Sequence, residues 1–384
     1  MGTYTFGPVA MDDSFIYTFF PLLAVIAVIL YLKSKENAKV TTERAATVPY
    51  SLWDPNRKKT DNKTISPTSL PQDPVITPLR DANILSTSPY PFRPYKPVSR
   101  MTMGIEKCDP NDLFLLDSSY PARIALRKDL TIRYPNTLGA SLQSTGAVKE
   151  LYTFIFHHMS SRFPELFAIN PTDSIFNNYV SGETYPLHPP GNSLVALKAI
   201  ASTVEEDVLV LMQNPGEDVY RLQAFAGCFP NGFAWSEKMG MALSEIHGPV
   251  PLFKEKLEFS VDRFFGKLEM GRWVKRFNWT VAIHDQLCSL VANHIYQGVE
   301  FPEKLESVKL DGCYLRVERQ VLLRLPVSKA IVFFIKTYMT PLNVVKAEGQ
   351  GEALATAIEG MPDKLAIYKG RNIWGEAVVS ALRS

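Results

Sequence analysis

Cysteine is scarce in this chain and never clustered. Four occur in 384 residues, Cys108, Cys228, Cys288 and Cys313, each far from the next. That scatter excludes the ligand spacing of zinc knuckles and iron–sulfur centres, as well as covalent haem attachment. It offers no disulfide framework either, which points to a reducing compartment. An excess of one charge sign is also lacking, with 41 Lys and Arg against 39 Asp and Glu, a formal net charge of +2. No basic run is interleaved with aromatics, so no nucleic-acid partner is expected. The common catalytic signatures are missing: no Gly-x-Ser-x-Gly elbow, no His-Glu-x-x-His helix, no phosphate loop and no dinucleotide fingerprint, since Gly349-Gln350-Gly351 lacks a third glycine. Without a flavin or iron–sulfur signature, any redox chemistry here needs electrons from a separate reductase.

What is present is an ordinary globular composition, 46% hydrophobic and 21% charged, behind an unusual N-terminus. After a short segment 1–14, residues 15–32 carry no charge. As a helix this run rises about 27 Å, enough to cross most of a bilayer's apolar core. The leader holds Asp12 and Asp13 instead of basic residues, and the run ends at Tyr31-Leu32-Lys33, so an uncleaved transmembrane helix is expected in place of a signal peptide. Lys33, Lys35 and Lys39 follow it. The positive-inside tendency then predicts a single-pass protein with its C-terminal domain in the cytoplasm, at the endoplasmic reticulum membrane in our reading. Residues 33–88 are polar and dotted with prolines, a composition that reads as a disordered tether. The remaining chain, 89–384, is read as one domain. Asn62-Lys63-Thr64 matches a glycosylation sequon that a cytoplasmic tether would never use.

Within the domain, residues 110–170 read as helical, with Leu151, Phe154, Ile155, Phe156 and Met159 on a buried face. His157 and His158 on that helix read first as core or surface histidines, and residues 171–200 as loop-rich. A strand at 205–213, the turn Asn214-Pro215-Gly216 and a strand near 220–229 spell a hairpin. Helices are predicted at 236–247 and 252–268, strands from 276, over 314–325 and over 329–340, and a helical tail at 349–382. The run Ala330 to Ile335 is apolar on both faces, as a central strand is. The order predicts an α+β fold, an antiparallel sheet flanked by helices, without choosing among folds of that kind.

The stretch 229–256 organises the reading of function. Pro230, Asn231 and Gly232 end a strand, and Ser236 reads as a helix N-cap with Glu237 in the first turn. Trp235, Met239, Leu243, Ile246 and His247 then share one face, and Gly248, Pro249 and Pro251 stop the helix. The result is an imidazole at a rigid helix end beside an apolar wall. Such a histidine is either a core residue bonded to a backbone carbonyl or an axial ligand for haem iron.

Ile246-His247-Gly248-Pro249-Val250-Pro251 resembles the Ile-His-x-Pro-Val-Pro segment of the haem-dependent oxidative N-demethylase family. Further stretches match in the same order: Pro91-Phe92-Arg93-Pro94 with Met103-Gly104, Asp117 to Arg123 with Arg127, Leu315 to Pro326, and Phe334 to Tyr338. The resemblance implies a PAS-like sheet, a haem b with His247 on its iron, and oxidative N-demethylation of a small amine. It also implies cationic partners for the haem propionates, for which Arg316, Arg319, Arg324 and Arg276 are candidates. Strand alternation sets Arg316 and Arg319 on opposite faces, with Glu318 and Gln320 beside Arg316. Glu318 could hold an ammonium substrate or simply pair with an arginine. Cys228 is the rival iron ligand, through a thiolate. A non-catalytic haem- or small-molecule-binding sensor, or a membrane scaffold, is the alternative to an enzyme.

Overall fold

The computed structural model describes residues 74–81, 83–98, 101–290 and 303–384. The expected membrane span at 15–32 lies outside them, and among the described residues no helix is long and apolar enough to cross a membrane.

In chain order the principal elements are β1 (Glu106–Lys107), α1 (Tyr120–Arg133), β2 (Leu138–Ala140), α2 (Thr145–Arg162), β3 (Phe167–Asn170), β4 (Ile175–Asn178), β5 (Glu183–Pro186), α3 (Ser193–Ala201), β6 (Asp207–Gln213) and β7 (Tyr220–Ala226). There follow α4 (Leu243–Ile246), α5 (Phe253–Lys256), α6 (Glu258–Lys267), β8 (Val274–Ala282), β9 (Tyr314–Arg324), β10 (Ile331–Pro341), α7 (Leu342–Val345), α8 (Gly351–Glu359), α9 (Asp363–Tyr368) and α10 (Arg371–Arg383). Seven strands form one antiparallel sheet in the order β1-β8-β9-β10-β6-β7-β2, and β3-β4-β5 form a small second sheet. The fold is therefore α+β, with antiparallel sheets flanked by helices.

Alternation along the central strands explains how both faces are covered. Val208 and Val210 of β6, with Val332 and Phe334 of β10, join the core built with α1, α2 and α3. Leu209, Leu211, Ile331 and Ile335 point the other way, under α4 to α6. Farther along β9 and β10, Leu315, Val317 and Tyr338 pack against α7, α8 and α10. The β6–β7 hairpin turns where Asn214-Pro215-Gly216 predicts it, with Gly216 at φ +82° and Glu217 N donating to Asn214 O at 3.0 Å.

Three expectations need correction. The helix over 236–247 is broken. A short 3-10 turn at Trp235–Lys238 gives way at Gly240, which has φ +78°, and the chain runs beside β7 before α4 begins. The cause is a nonlocal one. Strand β2 pairs only with Ala224 to Ala226, leaving the start of β7 with open backbone groups. Gly240 N donates to Leu222 O at 2.8 Å and Leu222 N to Met241 O at 3.0 Å. Ser236 therefore caps no helix; α4 is opened by Glu245, whose carboxylate accepts from Ala242 N at 2.6 Å. The helix over 252–268 splits at Leu257 into α5 and α6. Residues 171–200, read as loop-rich, hold β4, β5 and most of α3.

The segment assigned to a tether also has structure near its end. Leu79 N donates to Arg162 O at 2.6 Å, and Ile84 enters the core. From there the chain crosses the sheet and tail, with Phe92 against Phe277 and Tyr338 and Arg93 paired with Glu348 at 2.8 Å.

Candidate functional site

His247 sits one residue beyond α4, with backbone angles φ −93° and ψ 0°. Its Nδ1 lies 2.8 Å from Leu243 O, a carbonyl that can only accept, so the proton is on Nδ1 and Nε2 carries a free lone pair. Its ring stacks on Phe253, 4.7 Å between centroids and 12° from parallel, which removes its rotational freedom. Burial holds this imidazole below its ordinary pKa, and Arg276 and Lys238 push the same way, against the Leu243 hydrogen bond. The ring is therefore neutral at neutral pH, the form that ligates iron.

The sheet face under α4 to α6 carries a polar group beyond its apolar part. Register pairs Arg276 with Gln320, Asn278 with Glu318 and Thr280 with Arg316, so these side chains share the face of Val274 and Leu322. Glu318 is heavily committed. It accepts from Asn231 Nδ2 at 3.1 Å, Gln320 Nε2 at 3.0 Å and Asn278 Nδ2 at 3.4 Å, with Arg316 Nε 3.9 Å away. Arg316 is fully buried and donates to Phe229 O at 2.7 Å and Leu287 O at 2.9 Å, yet its Nε has no hydrogen-bond partner among the described residues. Arg276 Nε and Trp235 Nε1 are likewise buried without one. Lys369 reaches this face from the tail, with Nζ 3.2 Å from Asn278 Oδ1 and 2.5 Å from Trp279 O. Burial lowers the pKa of Arg276, of Arg316 and of Lys369, the last to about 8; Glu318 offsets the effect for all three, and Asp207 adds to that offset at Arg316.

Three cations thus draw chiefly on one carboxylate that already accepts from three amides. Uncompensated buried charge is costly, so the arrangement favours an anionic ligand. A haem fits this donor set. It brings two carboxylates for the cations and a macrocycle for the apolar wall, and it needs one imidazole with a bare nitrogen. Among the described residues no three His, Cys, Asp or Glu side chains converge on a point that could hold a bare metal ion.

The other candidates are engaged elsewhere. Arg319 is on the opposite face, donating to Leu113 O at 3.1 Å and to Asp112 O, with Cys108 Sγ at 3.7 Å. Arg324 is spent on the carbonyls of Leu268, Phe265 and Lys329. Cys228 is buried, and desolvation pushes its thiol up to about 12, which argues against a thiolate. His158 lies across the sheet from His247, packed among Phe114, Phe154 and Trp273. Asn231, read from the sequence only as part of a strand end, and Lys369 were not foreseen at the site. Asn278 could have been found, since it follows Arg276 by two on one strand.

Gly227 matters here because a Cβ at that position would stand 2.1 Å from Trp235 Cδ1. Gly227→Ala is expected to displace the indole, cost about 1–3 kcal/mol and alter the tryptophan emission spectrum. An unchanged melting temperature and emission would show that the contact is not tight.

The model of one protein family, described as haem-dependent oxidative N-demethylase, alpha subunit-like, matches residues 104–379. The match takes in β8 to β10, the 229–256 stretch and Lys369, and spans well over half of the sequence, so this chain belongs to the haem-dependent oxidative N-demethylase, alpha subunit-like, family.

Proposed function

We propose that the protein binds haem b through His247 and catalyses oxidative N-demethylation of an amine. The observation that carries the reading is the tautomer set by Leu243 O, which leaves His247 Nε2 bare on the side of the sheet that carries Arg276 and Arg316. Haem, when bound, supplies oxygen activation, with two electrons delivered by a separate reductase. In the balanced reaction one oxygen atom goes to the N-methyl carbon, which leaves as formaldehyde. The other leaves as water, with two electrons and two protons consumed.

The chain's own residues prepare that chemistry. Leu243 O holds the Nδ1 proton, and Phe253 holds the ring plane. Arg276 would offer its guanidinium to a propionate; Arg316, whose Nη groups are spent on the carbonyls of Leu287, Phe229 and Pro230, would add its charge and its open Nε. Glu318, tied by Asn231, Asn278 and Gln320, keeps the cationic group in place. That commitment supports a structural role for Glu318 over ammonium capture. The five successive strands β6 to β10, side by side in the order β7-β6-β10-β9-β8, support a PAS-like reading of the sheet. Residues 15–32 would anchor the domain to a membrane facing the cytoplasm.

One preparation tests the whole reading. Membranes from cells expressing the full chain are expected to retain it after an alkaline wash, to show a Soret band, and to release formaldehyde from an N-methyl amine when a reductase and oxygen are supplied. A Soret band without formaldehyde for any amine offered would favour the sensor reading. No band even after added haem would end both readings. Recovery in the alkaline wash would end the anchor alone.

A further inference from the structure

We propose that Lys369 is a third cationic contact for the carboxylates of the cofactor, carried to the sheet by the C-terminal tail. The inference rests on the haem reading above and extends it to a residue outside the sheet.

Lys369 lies between α9 and α10, where Gly370 at φ +71° turns the chain. The turn is built firmly. Trp374 Nε1 donates to Lys369 O at 3.2 Å, and Arg371 Nη1 donates to Ile358 O at 3.1 Å and Glu359 O at 3.0 Å. From this turn the side chain runs to β8 and places its ammonium 5.5 Å over the Trp279 ring. The residue is 8% exposed.

An ammonium has three protons to donate. Two neutral oxygens, Asn278 Oδ1 and Trp279 O, take one each. Lys369 forms no ion pair with any described residue. The carboxylate that senses it, Glu318, already accepts from three amides and faces Arg276 and Arg316 as well. Burial and Arg276 both oppose the charge, and only Glu318 favours it. Were the task merely to tie the tail to β8, a neutral donor would serve at lower cost. A buried cation with one proton left over from its two neutral acceptors, and no carboxylate of its own among the described residues, has the makeup of a receptor for carboxylates.

The test compares two pigments on the same detergent-solubilised full chain: haem, and haem dimethyl ester, whose carboxylates are uncharged. Wild type is expected to prefer haem in a Soret titration. Lys369→Gln is expected to weaken haem binding about tenfold, the scale of one charge-assisted hydrogen bond, and to leave the ester's affinity unchanged. A glutamine side chain can still donate to Asn278 and Trp279, and circular dichroism monitors the fold. A purely structural role would weaken both pigments alike, and that result would overturn the proposal while the haem reading stood. If Lys369→Gln does not fold, wild type decides: equal affinity for haem and ester would refute carboxylate recognition. Wild type that takes up neither pigment would remove the haem reading and the role of Lys369 with it.

Discussion

His247→Ala should leave a folded protein without a Soret band. Loss of groups that only orient a metal ligand costs about 10–100-fold in affinity, and loss of the ligand itself should exceed that. The side chain is half-buried at the end of a four-residue helix, so its removal leaves most of the core intact. Free imidazole, added at millimolar concentration, should restore the band by occupying the space above Phe253. The competing view is a core histidine whose job ends at the Leu243 carbonyl. It predicts a lower melting temperature for the variant, with haem uptake unchanged and no response to imidazole. Absorption spectra of the two proteins, with and without imidazole, decide between them.

A comparable loss, this time of stability, is expected from Arg127→Met. Arg127 is fully buried and spends its guanidinium on Asp207 Oδ1 at 2.6 Å and on the carbonyls of Ala201, Glu205 and Glu206. Asp207 in turn accepts from Cys228 N at 2.7 Å and Phe229 N at 2.9 Å. Removing one partner of such a pair costs about 3–5 kcal/mol, because the other charge stays buried. For a domain of this size the melting temperature should fall by on the order of 10 °C. The effect should also reach the site. Phe229 O and Pro230 O accept from Arg316, and Asn231 donates to Glu318, so the segment that Asp207 secures is also a support of the cationic face. Thermal unfolding followed by circular dichroism, with a haem titration beside it, provides the check. A melting temperature within a degree of wild type would show that the pair adds little.

How much of this was legible beforehand varies with how local each cause is. Helices α1 and α2 and strands β9 and β10 follow from periodicity, because their neighbours agree with their own pattern. The opposite facing of Arg316 and Arg319 is likewise a consequence of alternation alone. The continuous helix over 236–247 failed because the half-open edge of β7 competes for residues 240–242, and nothing in that stretch announces it except Gly240. The small sheet over β3, β4 and β5 was hidden by short, polar strands such as Ile-Phe-Asn-Asn. At the site, His247 was singled out by its proline-bounded helix end and by resemblance. Lys369 was invisible for a simple reason. It meets Asn278 across 91 positions of chain, and no window of sequence reaches that far.

The two-sidedness of β9 has an evolutionary corollary. Residues 316, 318 and 320 serve the cationic face while 319 anchors the far side to Asp112 and Leu113. Gaining or losing a single residue inside this strand would exchange those roles wholesale, turning Arg319 toward the site and Glu318 into the core behind it. Descendants of this chain can therefore change length in the Pro326–Ala330 turn far more freely than within Tyr314–Arg324, where only changes in steps of two preserve the division of labour.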